Sequence, residues 1–271
     1  MGRSSLHRVA VAAFVAAIAA TASTPSRADV AQPFVSAPRS AGGAESAQVA
    51  HTGAPPDAPG VVVPLSDERK HTLAAHVTRR VVVRERPLRS ARALGRLRRR
   101  TYFGSQEVVL VLAHTIDAGR QRWVLIRYAG SGRRRGWVPM RALRDFTLVR
   151  TLIVINRDRA RLSVLRRGRK VLQVPIGVGA SRSPTPPGRY YMRERLEPRS
   201  KDGIYGVLAF GTSAYSRYRT DWPGGGQVGV HGTNSPQLIP GHISNGCVRL
   251  RNRAVRKLDR LAPVGTPIRI K

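Results

Sequence analysis

Apolar residues in this chain come in short continuous runs bounded by glycine, proline or charge, and only one stretch near the carboxyl end spaces them for a helix. Runs of four to eight such residues suit strands, because a helix needs a longer periodic stripe to bury one face. Val81-Val82-Val83, Val108 to Ala113, Trp123 to Ile126, Leu152 to Ile155 and Val171 to Ile176 all read this way. The exception is a segment opened by Asn252, which puts Val255, Leu258 and Leu261 on roughly one side and stops before Pro263 and Gly265. Asn252 is a residue type that caps such a helix. The expected fold class is therefore mainly β with one short helix.

The strands fall into two groups. From 76 to 146 a small set of strands, punctuated by turns such as Ala118-Gly119, suggests a partly open barrel. From 149 to 271 a second β-rich unit begins with Leu152–Ile155 and Arg161–Leu165 around an Asn156-Arg157-Asp158 turn. It ends on a strand from Thr266 to Lys271. Residues 29–75, rich in Ala, Pro, Gly and Ser, have few large side chains to offset the entropy of ordering, and read as a flexible spacer. Residues 1–28 read as a secretory signal peptide. Arg3, His7 and Arg8 precede an apolar run from Val9, and Ser26 and Ala28 supply small residues at a cleavage site. The run is short for a membrane span, so no span is expected after cleavage.

The formal net charge is +33, and lysine occurs only at 70, 170, 201, 257 and 271, so arginine makes up the other 43 of the 48 basic residues. A field of this sign favours anionic polymers. The basic residues are spread along the chain, and no zinc-finger, RNP or basic-zipper pattern accompanies them, so nucleic acid is not the expected partner. Anionic wall polymers would be attracted by the same charge.

One cysteine, Cys247, excludes an internal disulfide and a multi-cysteine metal site. It lies in the run V-H-G-T-N-S-P-Q-L-I-P-G-H-I-S-N-G-C-V-R-L, from Val230 to Leu250. A lone cysteine is often only a small buried hydrophobe. Here an imidazole, a glycine-flanked thiol and an arginine converge, and together they suit acyl transfer. The imidazole takes the thiol proton and later returns it to a leaving amine. Small residues before Cys247 leave backbone N–H groups open to an oxyanion. Arg249, two residues on, points the same way as Cys247 on an extended segment and suits a substrate carboxylate. Two histidines compete as base. His231 follows a strand, Gln227 to Val230, and is followed by Gly232, a strand-end position that would hold it rigidly, whereas His242 sits in a Pro-Gly-His loop. His231 is preferred, since a base must be oriented by its surroundings.

The H-G-T … S-x-G-C-V-R-L run resembles the catalytic motif of the L,D-transpeptidases, the YkuD-type domain. The "TPxG"-like turn at Ser183 to Gly188 and the terminal Gly265 to Ile270 strand agree with it. The resemblance implies that Cys247 is the nucleophile and His231 the base, its ring oriented by the Gly232 carbonyl. It also implies an oxyanion hole from the N–H groups of Asn245, Gly246 and Cys247, with Ser244 and Arg249 supporting the loop or binding substrate. No metal or cofactor is implied. The substrates would be peptidoglycan stem peptides, joined in 3-3 crosslinks, and carbapenems would acylate the thiol. The protein would be secreted, to the periplasm or cell wall. The family often has histidine where Asn245 stands. The preceding module is similar to bacterial SH3-like domains, through Val83-Arg84-Glu85-Arg86-Pro87, Trp123-Val124-Leu125-Ile126 and Gly136-Trp137-Val138. That likeness implies wall binding or substrate positioning. The alternatives are a wall-binding protein with an inactive or hydrolytic L,D-carboxypeptidase domain, and a sortase-like transpeptidase. A sortase would separate its His, Cys and Arg more widely.

Overall fold

A computed structural model describes residues 34–36, 60–130, 134–218 and 224–271. The expected signal peptide and most of the expected spacer lie outside them. The described residues are mostly β, with one α-helix.

Strand β1 (Phe34–Ser36) stands alone at the start. The first sheet then has eight strands: β2 (Val63–Pro64), β3 (Thr72–Val77), β4 (Val81–Arg84), β5 (Ala93–Leu97), β6 (Val108–Ile116), β7 (Arg122–Arg127), β8 (Arg135–Pro139) and β9 (Leu143–Val149). Their order is β5-β4-β8-β7-β6-β3-β9, with β2 added along β6. Three of these, β4, β6 and β7, were expected from their apolar runs. The others have weaker signals. β5 carries a glycine and an arginine, and β9 has an arginine and an aspartate near its start. Thr72 to Val77 corrects the expected spacer: it is a strand between β6 and β9, with Ala74, Ala75 and Val77 buried. Alanines suffice there, because Val109, Val111 and Leu143 cluster with Ala75 on one face, and Val108, Leu110 and Tyr191 with Ala74 on the other.

The second sheet contains β10 (Thr151–Asn156), β11 (Arg161–Arg166), β12 (Arg169–Pro175), β13 (Gly177–Gly179), β14 (Gly188–Pro198), β15 (Ala209–Tyr215), β16 (Gln227–His231), β17 (Gly241–Ser244), β18 (Val248–Arg249) and β19 (Pro267–Ile270). The order runs β12-β11-β10-β19-β14-β15-β16-β18-β13-β17, and β1 pairs with the end of β14. The last strand in sequence therefore sits between β10 and β14. Helix α1 (Asn252–Leu261) buries Val255 and Leu258 against Phe210, Val230, Val248 and Leu250 of the sheet. The Asn252 cap is not formed. The N-cap position is Arg251, and the Asn252 side chain accepts hydrogen bonds from the backbone of Thr233 (3.1 Å) and Val207 (3.4 Å).

Strand β14 joins the sheets because both of its faces are buried. Met192 enters the second core, while the fully buried Tyr191 packs among Ala74, Val108 and Leu110 of the first sheet and donates its hydroxyl to the Val108 carbonyl (2.9 Å). Arg193 grips Glu107 with two nitrogens, Nε at 2.7 Å. Burial opposes its charge, but the Glu107 carboxylate keeps its guanidinium protonated. Gly265 allows close approach: a β-carbon there would meet Ala74 Cβ at 2.5 Å.

Candidate active site

The site arises from the parallel pairing of β16 with β18, in the register Val230↔Val248 and His231↔Arg249. Residues opposite one another share a face, and the face alternates along each strand. Val230 and Val248 therefore point into the core, at 1% and 0% exposure. Extending the register places Gly229, His231, Cys247 and Arg249 together on the other face. The short strand β18 is held from both sides, since Leu250 N–H donates to the His231 carbonyl (2.8 Å) and Gly177 of β13 pairs with Arg249.

Cys247 Sγ accepts a hydrogen bond from the Gly229 N–H at 3.3 Å. A β-carbon on Gly229 would lie 3.6 Å from His231 Cδ2 and 3.7 Å from Cys247 Sγ. Ring and sulfur thus border the same point, over a residue that leaves the space open. Gly229 was not singled out in the sequence. Its signal was there, a glycine two residues before the histidine in a strand, where glycine marks close approach.

His231 is buried, with Nδ1 2.6 Å from the Gly232 carbonyl. A carbonyl only accepts, so Nδ1 carries the proton and Nε2 keeps its lone pair. Gly232 is itself tightly set: a β-carbon there would meet Asn252 Oδ1 at 2.3 Å. Burial lowers the His231 pKa to about 4, outweighing the Gly232 hydrogen bond, and Arg249 adds to the lowering. Burial also pushes the Cys247 thiol up, against the Gly229 N–H and Arg249, which pull it down. Both groups are accordingly neutral near pH 7. His242, the rival base, lies exposed on β17 with Nδ1 3.4 Å from the Gly179 carbonyl, and does not line the cavity beside the thiol.

The turn before Cys247 is built by hydroxyls. Ser244 Oγ donates to the Cys247 carbonyl (2.6 Å) and accepts from the Gly246 N–H (3.1 Å). One expectation changes here. The Gly246 N–H is engaged inside the turn, so it is not open to an oxyanion. Ser244 is buried with its hydroxyl in this turn, and it also borders the cavity beside the thiol. Gly246 has φ +111°, which suits glycine. Asn245 is exposed beside it. Behind the turn, Ser183 donates to the Asn245 carbonyl (3.1 Å) and Thr185 to the Gly246 carbonyl (2.9 Å). Thr185 also accepts from the Gly179 N–H (2.9 Å).

A cavity of about 90 Å³ borders His231, Cys247, Arg249, Asn245, Tyr205 and Ile204. Arg249 Nε is buried with no hydrogen-bond partner among the described residues. On the other side of the ring pair, Tyr205 meets His231 edge-on (5.1 Å) and Phe34 of β1 (4.5 Å), which in turn meets Phe103 of the first module (5.3 Å). The first module also reaches β16 through polar groups. Thr101 donates to Glu194 (2.6 Å), whose other oxygen accepts from Gln227 (3.0 Å).

Residues 150–270 match the family model described as YkuD, the L,D-transpeptidase catalytic domain. This segment is similar to YkuD-type domains. Over 118 residues the chain is 31% identical to the YkuD protein of Bacillus licheniformis, covering 44% of this chain and 64% of that one. Over 109 residues it is 30% identical to the YkuD protein of Bacillus subtilis, covering 40% and 58%. The chain thus spans about three fifths of the length of these curated relatives. Among solved structures, Bd1075 of Bdellovibrio bacteriovorus is 32% identical, covers 45% of this chain and 48% of that chain, and has a TM-score of 0.37. Four residues singled out above fall in the matched segment and meet on one face or at its edge: His231, Gly232, Cys247 and Arg249.

Proposed function

We propose that this chain is a secreted cysteine L,D-transpeptidase acting on peptidoglycan stem peptides. The observation that carries the reading is the β16–β18 register, which lays the imidazole, the thiol and a guanidinium side by side over Gly229.

In this reading Arg249 holds a carboxylate of the stem peptide. Cys247 Sγ attacks the peptide carbonyl as its proton passes to His231 Nε2, forming the S–C bond. The Asn245 and Cys247 N–H groups receive the oxyanion, each such donor contributing roughly 3–4 kcal/mol. The C–N bond then breaks, and His231 returns the proton to the departing D-amino acid. An amine of a second stem attacks the thioester, giving its proton to His231, and the S–C bond breaks to release a 3-3 crosslinked product and the thiol. Water in place of the amine would give hydrolysis. The neutral resting pair fits this scheme, because charge develops only as the proton moves. Residues 76–146 would serve as an SH3-like module that positions the wall substrate, supported by the Thr101–Glu194–Gln227 link to β16.

Purified protein incubated with tetrapeptide muropeptides, followed by product analysis by mass spectrometry, tests the reading. We expect a crosslinked dimer, one carbapenem adduct on Cys247, and neither with Cys247→Ala. Products that persist unchanged in that variant would overturn it.

A further inference from the structure

Strand β1 precedes the whole first module in sequence, yet in space it meets residues around the thiol. It runs antiparallel to the end of β14, in the register Phe34↔Pro198, Val35↔Glu197 and Ser36↔Leu196. Leu196 also pairs with Ala209 of β15, so β1 takes the opposite edge of β14, where the register with β19 stops at Tyr191. Three residues of pairing give little hold, and the burial of Phe34 adds an apolar anchor.

Phe34 clusters with Phe103, Leu196 and Ala209, and Tyr205 packs against that cluster. Its ring meets Phe103 of the first module at 5.3 Å and Tyr205 at 4.5 Å, and Tyr205 meets the His231 ring at 5.1 Å. All three contacts are edge-on, an arrangement that sets the tilt of one ring against the next. The imidazole is therefore the last member of an aromatic row that starts in the first module and passes through the amino-terminal strand. The Gly232 carbonyl holds its Nδ1, and Tyr205 limits its swing about that bond. A second cavity, of about 30 Å³, lies between this row and the thiol, bordered by Phe34, Phe103, Tyr205, His231 and Cys247. Its volume is close to the share one water molecule takes in the liquid.

We propose that Phe34 is a positioning residue for the imidazole–thiol pair: docked on β14, it wedges Tyr205 against His231 and closes the rear of the pair to water. The proposal deepens the function given above and rests on His231 as the base there. Among the described residues, the titratable and charged groups that border the two cavities beside the ring are Tyr205, Cys247 and Arg249. Burial and Arg249 both lower the His231 pKa, to about 4, so water admitted behind the ring would raise it toward 6.5.

The test uses the full chain and the variants Phe34→Ala, Phe34→Leu and Tyr205→Leu. Tyr191→Phe serves as a structural comparison, since it loses a buried hydrogen bond at the junction of the sheets. The histidine rings are titrated by NMR from about pH 3.5 to 8, with His231 assigned through His231→Asn. Carbapenem acylation of Cys247 is followed over the same range, and its rate at saturation is separated from the half-saturating concentration. We expect Phe34→Ala to raise the His231 midpoint by about one pH unit. It should slow acylation at saturation about tenfold, with less than about a twofold change in the half-saturating concentration. Phe34→Leu, which refills the apolar space, should recover more than half of both effects. Tyr205→Leu should shift the titration in the same direction, and it decides the matter if Phe34→Ala does not fold. Tyr191→Phe should lower the urea midpoint and leave the His231 titration in place. An unmoved titration or an unslowed acylation in Phe34→Ala would overturn the proposal. So would an equal shift in Tyr191→Phe, which would trace the effect to general loosening. If the unsubstituted protein is not acylated at all, the proposed enzyme fails, and the titration alone decides the place of Phe34.

Discussion

Two pairs of ionisable groups sit at opposite ends of the same logic. Arg193, at the junction of the sheets, keeps its charge because two of its guanidinium nitrogens meet two oxygens of Glu107. His231 and Cys247, at the β16–β18 edge, are both pushed toward their neutral forms, because burial outweighs the single backbone hydrogen bond each makes and, at Cys247, the pull of Arg249. Burial alone favours neutrality, and only a complete counter-charge reverses it. The first pair therefore fastens two sheets, and the second holds its charge separation in reserve.

The comparison is broken most directly at the imidazole. His231→Ala should slow Cys247 acylation by about 10²- to 10⁴-fold, the range for a positioned proton acceptor. A variant that kept most of its rate, measured by mass spectrometry against time, would return attention to His242. At the ion pair, Glu107→Gln should destabilise the fold by about 3–5 kcal/mol in urea denaturation, because a buried guanidinium loses its partner. Glu107→Leu combined with Arg193→Met should recover most of that loss. If the single variant were neutral, the pair would not be holding its charges in the way described.

The sharper test is pH. Burial sets His231 at about 4, below the 6.5 of a free imidazole, so in acid the unfolded chain takes the proton first. This contribution is full above about pH 6.5 and is lost as pH falls toward 4. It amounts to on the order of 3 kcal/mol. The urea midpoint of the unsubstituted protein should fall across that window, and that of His231→Asn should fall less. The acylation rate should stay level down to about pH 5 instead of dropping with an ordinary imidazole. The smallest effect belongs to the loop behind the turn. Thr185→Val strands the Gly179 N–H and Gly246 carbonyl and should cost about 1–3 kcal/mol, read as a lower urea midpoint.

Much of this was readable beforehand, and the reasons differ by region. Long apolar runs such as Val108 to Ile116 named their strands. Ala74, Ala75 and Gly95 did not, because small residues say little until the neighbours that cover them are known. His231, Cys247 and Arg249 stood out by residue type and spacing. Gly229 and Thr185 did not, since their roles depend on a parallel register and on a loop folding back some sixty residues away in sequence. Asn252 looked like a cap from its place at a helix start. Its side chain is drawn instead to two loop N–H groups that local sequence cannot reveal.

The place of β19 has a consequence for how the chain assembles. Every other strand of its sheet precedes it in sequence, yet it lies between β10 and β14. Until Pro267 to Ile270 arrive, the β12-β11-β10 meander and the block carrying the thiol are separate pieces with unpaired inner edges. Closure over such sequence distances is slow and leaves edges exposed to aggregation. A nascent chain would therefore withhold its reactive edge from completion until almost all of this sheet has been delivered.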